Sequence, residues 1–347
     1  MNDLIDELSP RSIQILEAVI EGYISTGQAV GSGTVVRKHR LDCSPATVRN
    51  EMADLTAMGY LKQTHVSSGR IPTDKAVRFF LDRLMREEIL SFEEIERLRM
   101  LHPIYGEDLR ATVRQAGRVL ADVTHQAGVI LMPGLKQAPL RHIEFIRLTS
   151  KRVMALLVSQ GGRFFTRVFE WGEDLNQHDL TWASNYLNDR FKGKTLSQIR
   201  EIVIKEMREE KAEYDKMLAK ALGLMESALQ KEQLEEEVFI EGRENLAEKP
   251  EFAEVENMVK LFKAFEKKSF IVKLLSRALE GHDLTVLLPS ESGIEDMPKL
   301  AVIMARYGTE GPGGGTLGII GPLYMNYPKV IPIVRYAANF VSDILKS

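Results

Sequence analysis

Arg49, Asn50 and Ala53 lie close together in PATVRNEMADLTA, Pro45 to Ala57, and their types suit one chemistry, the reading of base edges in duplex DNA. An asparagine amide can bond both N6 and N7 of an adenine. A guanidinium fork can take a guanine or a phosphate, and an alanine methyl allows close approach and can touch a thymine methyl. Ser44 and Thr47 stand at the start of the same segment, where free backbone amides attract phosphate. Beyond it come Lys62 and the Gly/Ser-tipped stretch VSSGR, in which Ser68 and Arg70 suit the sugar-phosphate backbone or the minor groove. Surface helices of many kinds carry Arg, Asn and Ala, so these residue types alone leave a protein-docking role open.

The surrounding elements can hold such a surface. Ser9-Pro10 and Ser44-Pro45 each read as an N-cap followed by a first helical position. Ile13, Leu16, Ile20 and Tyr23 repeat at helical spacing up to Thr26-Gly27, and a short segment with Val35 and Val36 follows from Ser32 to His39. In the third helix Val48, Met52 and Leu55 fall on one side and Ala46, Asn50, Ala53 and Ala57 on the other, with Gly59 as the stop. YLKQT and the residues from Ile71 read as two short strands, and Thr73 caps a helix carrying Val77, Phe80, Leu81 and Leu84. Helix, helix, helix, strand, turn, strand, helix is the spacing of a winged helix-turn-helix. From Gly31 to Phe80 eight bases (Arg37, Lys38, Arg40, Arg49, Lys62, Arg70, Lys75, Arg78) face four acids (Asp42, Glu51, Asp54, Asp74). That local excess sits in a chain whose formal net charge is −3.

The 347 residues, 44% apolar and 27% charged, predict two or three globular domains. The one cysteine, Cys43, can form no internal disulfide and reads as a small core or turn residue. The acidic start MNDLIDELSP is not a signal peptide, and nowhere do 18 apolar residues run together. These features predict a cytoplasmic protein with no membrane partner. The seven histidines form no His-x-x-x-His pair, so no metal and no cofactor is expected.

Past a charged helical continuation and linker at Glu87 to Arg99, and a helix at Val113 to Val123, strands are expected at 128–133, 143–149, 152–159 and 163–171. Residues 175–235 lack a strand pattern and read as an inserted helical element. Its stripe of Ile199, Val203, Met217, Leu218, Ala221, Leu222, Met225 and Leu229 leaves open both a merely solvated helix and a partner interface. Phe252, Val255, Val259 and Phe262 predict one more helix and Ile271, Leu274 and Leu275 its neighbour. Strands at 284–289, 300–307 and 315–321 and a C-terminal helix through Val334, Ala337, Val341 and Ile344 complete an α+β chain with an antiparallel sheet.

LSPRSIQILEAVIEGYISTGQAVGSGT, SPATVRNEMADL and HVSSGRIPTDKAVRFFLD resemble the N-terminal region of the HrcA family of heat-inducible transcription repressors, and GTLGIIGPLYMNYPKVIPIV resembles its C-terminal signature. The likeness spans nearly the whole chain. Two departures stand out: Gly31-Ser32-Gly33-Thr34 where the family often has Gly-Ser-Arg-Thr, and Tyr324-Met325-Asn326 where it often has Arg-Met-Asp. The resemblance implies a winged-helix DNA-binding domain at 1–88, a linker helix at 89–104, a GAF-like domain at 105–174 and 236–347, and the inserted dimerisation element at 175–235. It further implies a homodimeric repressor of chaperone operons, bound to the CIRCE inverted repeat in double-stranded DNA and kept active by the chaperonin GroEL.

Two other functions compete with this one. A metabolite-gated regulator would use the GAF-like domain as its sensor. An enzyme would use GPGGG at 311–315, but a phosphate loop needs Lys-Ser/Thr after its glycines and Thr316-Leu317 follows instead. A binding protein without catalytic residues is the expectation.

Overall fold

Serine caps and glycine stops shape the N-terminal elements as their sequence foretells. The structure is a computed structural model. It describes residues 8–39, 43–63, 69–99, 109–132, 134, 138–160, 164–174, 176–208, 216–229, 237–249, 252, 254–266, 271–276, 283–292, 300–308 and 314–346. Helix α1, Pro10–Thr26, starts where Ser9 Oγ accepts from the Ser12 N–H and ends at Gly27 with φ 66°. Helix α2 is Ser32–His39, and α3, Pro45–Ala57, starts under the Ser44 cap. Gly59, at φ 79°, turns the chain into strand β1, Leu61–Gln63, which pairs antiparallel with β2, Arg70–Pro72. The hairpin tip at 64–68, including Ser68, lies outside the described residues. Helix α4, Asp74–Phe79, is capped by Thr73 and passes into a π-turn, Phe80–Leu84. Ile15, Leu16, Val19, Val48, Met52, Leu55 and Phe79 close the core of this N-terminal unit.

The expected helical continuation from Glu87 is interrupted. Met85 turns extended at ψ 134°, and helix resumes only in α5, Phe92–Arg99. The cause is tertiary: the Glu88 N–H donates to the Pro328 carbonyl, and Arg335 forks onto the Glu87 carboxylate, so the strap between is stretched along the C-terminal helix.

The remaining elements make two further cores. After α6 (Leu109–Thr124) come β3 (Ala127–Met132), β4 (Leu140–Arg147), β5 (Arg152–Ser159), β6 (Phe164–Glu170), α7 (Gln177–Phe191), α8 (Leu196–Arg208) and α9 (Lys216–Ala228). Then follow β7 (Glu237–Glu241), α10 (Glu244–Ala247), α11 (Val255–Glu266), α12 (271–276), β8 (Leu284–Leu287), α13 (Pro289–Ser292), β9 (Leu300–Tyr307), β10 (Gly315–Pro322) and α14 (Tyr327–Lys346). The five-stranded sheet runs β7-β3-β10-β9-β8, every neighbour antiparallel. Helices α6 and α14 cover one face and α10 to α12 the other. Strand β7, which no expectation covers, fills the edge beside β3.

Strands β4-β5-β6 form a separate three-stranded antiparallel sheet. Ile143, Phe145, Val153, Ala155 and Leu157 on its inner face pack against Leu187, Ile199, Val203, Leu222 and Met225 of α7 to α9. The helical stripe expected to await a partner is therefore largely buried inside the monomer. On α11 the inward stripe is also shifted: Leu261 and Phe265 are buried, while Val259 and Phe262 are 45% and 38% exposed. The architecture is mixed α/β with antiparallel sheets, as expected.

Candidate nucleic-acid interface

Helix α3 is pinned by its inner side and bare on its outer one. Val48, Met52 and Leu55 are at most 3% exposed, whereas Ala46, Arg49, Asn50, Ala53, Asp54 and Ala57 all lie at the surface. At its N-terminus the Thr47 N–H donates to Ser44 Oγ at 3.1 Å, and the two hydroxyls stand 3.0 Å apart. Each hydroxyl therefore has a partner already, yet Ser44 remains exposed at the end of the helix. Lys62 is exposed on β1. The outer face thus gathers an amide, a guanidinium and small methyls on one rigid rod, the set a major groove accepts.

Arg70 has a second task. Its N–H and carbonyl pair with Val30, both at 2.9 Å, and its Nε donates to Thr56 Oγ1 at 3.1 Å. Thr56 in turn donates to the Met52 carbonyl at 2.7 Å. The hairpin is thereby tied to α3 and to the α1–α2 connection. Gly69 allows this approach, since a Cβ there would stand 2.4 Å from the Val30 carbonyl oxygen. Thr56 and Val30 are the positioning residues that sequence reasoning missed. Thr56 sits among the flanking positions of α3 and carries no signal of its own.

The local charge excess divides once the side chains are placed. Arg37 and Lys38, in the last turn of α2, are exposed. Lys75 stays exposed but is engaged within its own unit, its Nζ donating to the Met58 carbonyl at 3.1 Å and lying 4.1 Å from the Tyr60 ring centre. Arg78 points away from α3 altogether, toward Glu291. Cys43 is half-buried beside the α3 cap.

The family model described as HrcA protein C terminal domain matches residues 110–331. The chain belongs to the HrcA family. A relative from Geobacter sulfurreducens, named Heat-inducible transcription repressor HrcA, is 42% identical over 340 residues, covering 98% of this chain and 99% of its own. One of the same name from Syntrophobacter fumaroxidans is 38% identical over 343 residues, covering 99% of each. The crystal structure of a hypothetical protein at 2.2 Å resolution superposes with a TM-score of 0.61 at 21% identity, covering 98% of this chain and 99% of that one, so the fold is shared end to end.

The two departures from HrcA signatures fall at defined places. Gly33 stands within α2 with nothing within 4 Å of where a Cβ would be, so the position has room for a longer side chain. Tyr324 lies against Tyr23 of α1, ring centres 5.4 Å apart and edge to face, where the N-terminal unit meets the rest of the chain. Among the described residues no helix is long and apolar enough to cross a membrane.

Proposed function

We propose that the chain is a cytoplasmic repressor of heat-shock operons that binds double-stranded DNA at a CIRCE inverted repeat as a homodimer, with its active form maintained by the chaperonin GroEL. The observation that carries this reading is the free outer face of α3, with Arg49, Asn50 and Ala53 together at the surface above a fully buried inner face. The names borne by the relatives support the repressor role. We read α1 to α4 with the β1–β2 hairpin as a winged helix-turn-helix at 1–88, α5 as the linker at 89–104, and the five-stranded sheet between its helices as the GAF-like part at 105–174 and 236–347. The packing of β4 to β6 on α7 to α9 favours moving the insert's first boundary from 175 to about 140. Ser44, Thr47, Arg49, Asn50, Ala53, Lys62, Ser68 and Arg70 are the proposed DNA contacts, and no catalytic residue is assigned.

An inverted repeat demands a two-fold protein, because each half-site needs an identically presented helix. The stripe on α8 and α9 is occupied, and among the described residues one broad apolar surface left open is the opposite face of β4-β5-β6, where Met154, Leu156 and Val158 of β5 are half-exposed and Val168 of β6 is 43% exposed. We assign the homodimer contact to that sheet face. Footprinting of purified protein on the operator, with and without chaperonin, tests the proposal. A protected inverted repeat that is lost on spontaneous inactivation and retained with chaperonin is the expected result. Absence of sequence-selective protection in either condition would refute it.

A further inference from the structure

The N-terminal unit meets the five-stranded body through contacts of two kinds. Ile24, Val77, Leu81 and Met85 pack against the body's core and supply adhesion without direction. Direction comes from the Tyr23–Tyr324 edge-to-face contact and from polar contacts of α4, centred on one guanidinium. Arg78 on α4 donates from Nε to Glu291 Oε1 at 2.9 Å and from Nη2 to the Val286 carbonyl at 2.8 Å, with a further short contact to Glu291 Oε2. One turn earlier, Asp74 Oδ2 accepts from the Ser290 N–H at 2.7 Å. A planar fork held by a carboxylate and a carbonyl fixes angle as well as distance.

Both ends of this contact have partners to fall back on. Asp82 lies 3.5 Å from Arg78 Nη1, one helical turn away on the same unit. Glu291 Oε2 accepts from the Leu288 N–H at 3.0 Å within the body. Parting the two units therefore strands neither charge, unlike the breaking of a buried pair with no alternative. The chain between them turns at the π-turn Phe80–Leu84 and at extended Met85, ahead of Glu87 and Glu88, which α14 holds to the body, so any swing of the N-terminal unit is taken up at 80–86.

We propose that Arg78 and Glu291 are positioning residues forming a reversible lock, which sets the angle at which each N-terminal unit offers α3. The inference rests on the DNA-reading proposal for its purpose, though not for its mechanics. With the lock closed, two paired units present their α3 helices at one fixed separation and rotation. With it open, each unit turns about its π-turn and accepts other geometries.

The test uses the full chain, wild type against Glu291→Gln and Arg78→Met, the methionine keeping the apolar stem against the body. Operators are prepared with the natural half-site spacing and with two extra base pairs, which rotate one half-site by about 70°. Wild type should prefer the natural spacing by at least about tenfold, and both variants by less than about threefold, with binding to an isolated half-site unchanged. Independently of DNA, tryptic cleavage after Arg86 should be several-fold faster in Glu291→Gln than in wild type, with unchanged circular dichroism. Equal cleavage rates would overturn the lock whatever the DNA does. Faster cleavage with undiminished spacing preference would overturn its positioning role. Faster cleavage in a protein that binds no operator at all would uphold the lock's mechanics and refute the DNA reading instead.

Discussion

Asn50 bonds to no partner among the described residues: it is exposed, midway along α3, with the buried stripe on the far side of the helix. Its value lies in what it can bond, and an amide aimed at an adenine edge is worth about 1–3 kcal/mol of discrimination. Asn50→Ala is expected to weaken operator binding by that amount and to relax base choice at one position per half-site, leaving the melting temperature in place. Fluorescence anisotropy against operators substituted base by base checks it. Thr56 makes the opposite case, a residue with no route to DNA that governs one that has. Thr56→Val removes the oxygen holding Arg70 Nε and keeps the charge. Operator affinity should fall several-fold for every sequence with the salt slope unchanged, whereas Arg70→Ala should lower both affinity and slope, the latter by about one. A Thr56→Val protein that binds as wild type would free Arg70 from its bracing role.

Elements were legible where local chemistry settles them. The Ser-Pro caps, Gly27 and Gly59 mark their own ends, and Val48, Met52 and Leu55 could face only one way once α3 was a helix. Other elements depended on partners distant in sequence. In α11 two apolar stripes overlap, and only the sheet beneath decides that Leu261 and Phe265 go inward while Phe262 stays out. The strap at 85–91 has no breaker residue and is drawn straight by Pro328 and Arg335, over two hundred residues away. Strand β7 is recognisable only beside β3. For the same reason the oppositely charged Arg110, Arg114 and Arg118 of α6 and Glu237 and Glu241 of β7 show their pairing only in the folded chain. The close seat of α6 on β3 is likewise a matter of two glycines apart in sequence: a Cβ on Gly128 would lie 2.1 Å from the Gly117 carbonyl oxygen. Backbone cannot yield as a side-chain tip does, so Gly128→Ala should push the helix off the sheet and cost about 1–3 kcal/mol. Thermal denaturation would detect this, and an unchanged midpoint would show that the seat relaxes freely.

At the scale of the whole molecule, charge pairs and sheet faces decide how units join. Burial pushes the Glu291 carboxyl up, but the Arg78 hydrogen bond, the Leu288 N–H and the Arg78 charge together hold it below its ordinary 4.5. The Lys329 hydrogen bond does the same for Glu94, against the raising effect of burial. A carboxylate depressed in the folded state contributes stability in full above its unfolded value and loses it as pH falls through the folded one. Docking of the N-terminal unit should therefore weaken below about pH 4.5, and the melting temperature of wild type should fall more steeply there than that of Glu291→Gln. The pairing of two chains draws on a different force. A single sheet with helices on one side exposes its other side, and here that side carries Ile146, Met154, Leu156, Val158 and Val168 in neighbouring registers across β4, β5 and β6. Two such faces can close on one another as the layers of a sandwich do. Glu144 already faces Leu156 across β4 and β5 at the rim of this patch, and a second carboxylate at 156 would be desolvated beside a like charge. Leu156→Glu should thus convert the dimer to monomer in sedimentation at micromolar concentration while leaving the inner face, and so the fold, intact. Because joining two half-site readers multiplies affinity through effective concentration, operator binding should then drop by about 10²-fold or more. A Leu156→Glu chain that still sediments as a dimer would move the contact to another surface.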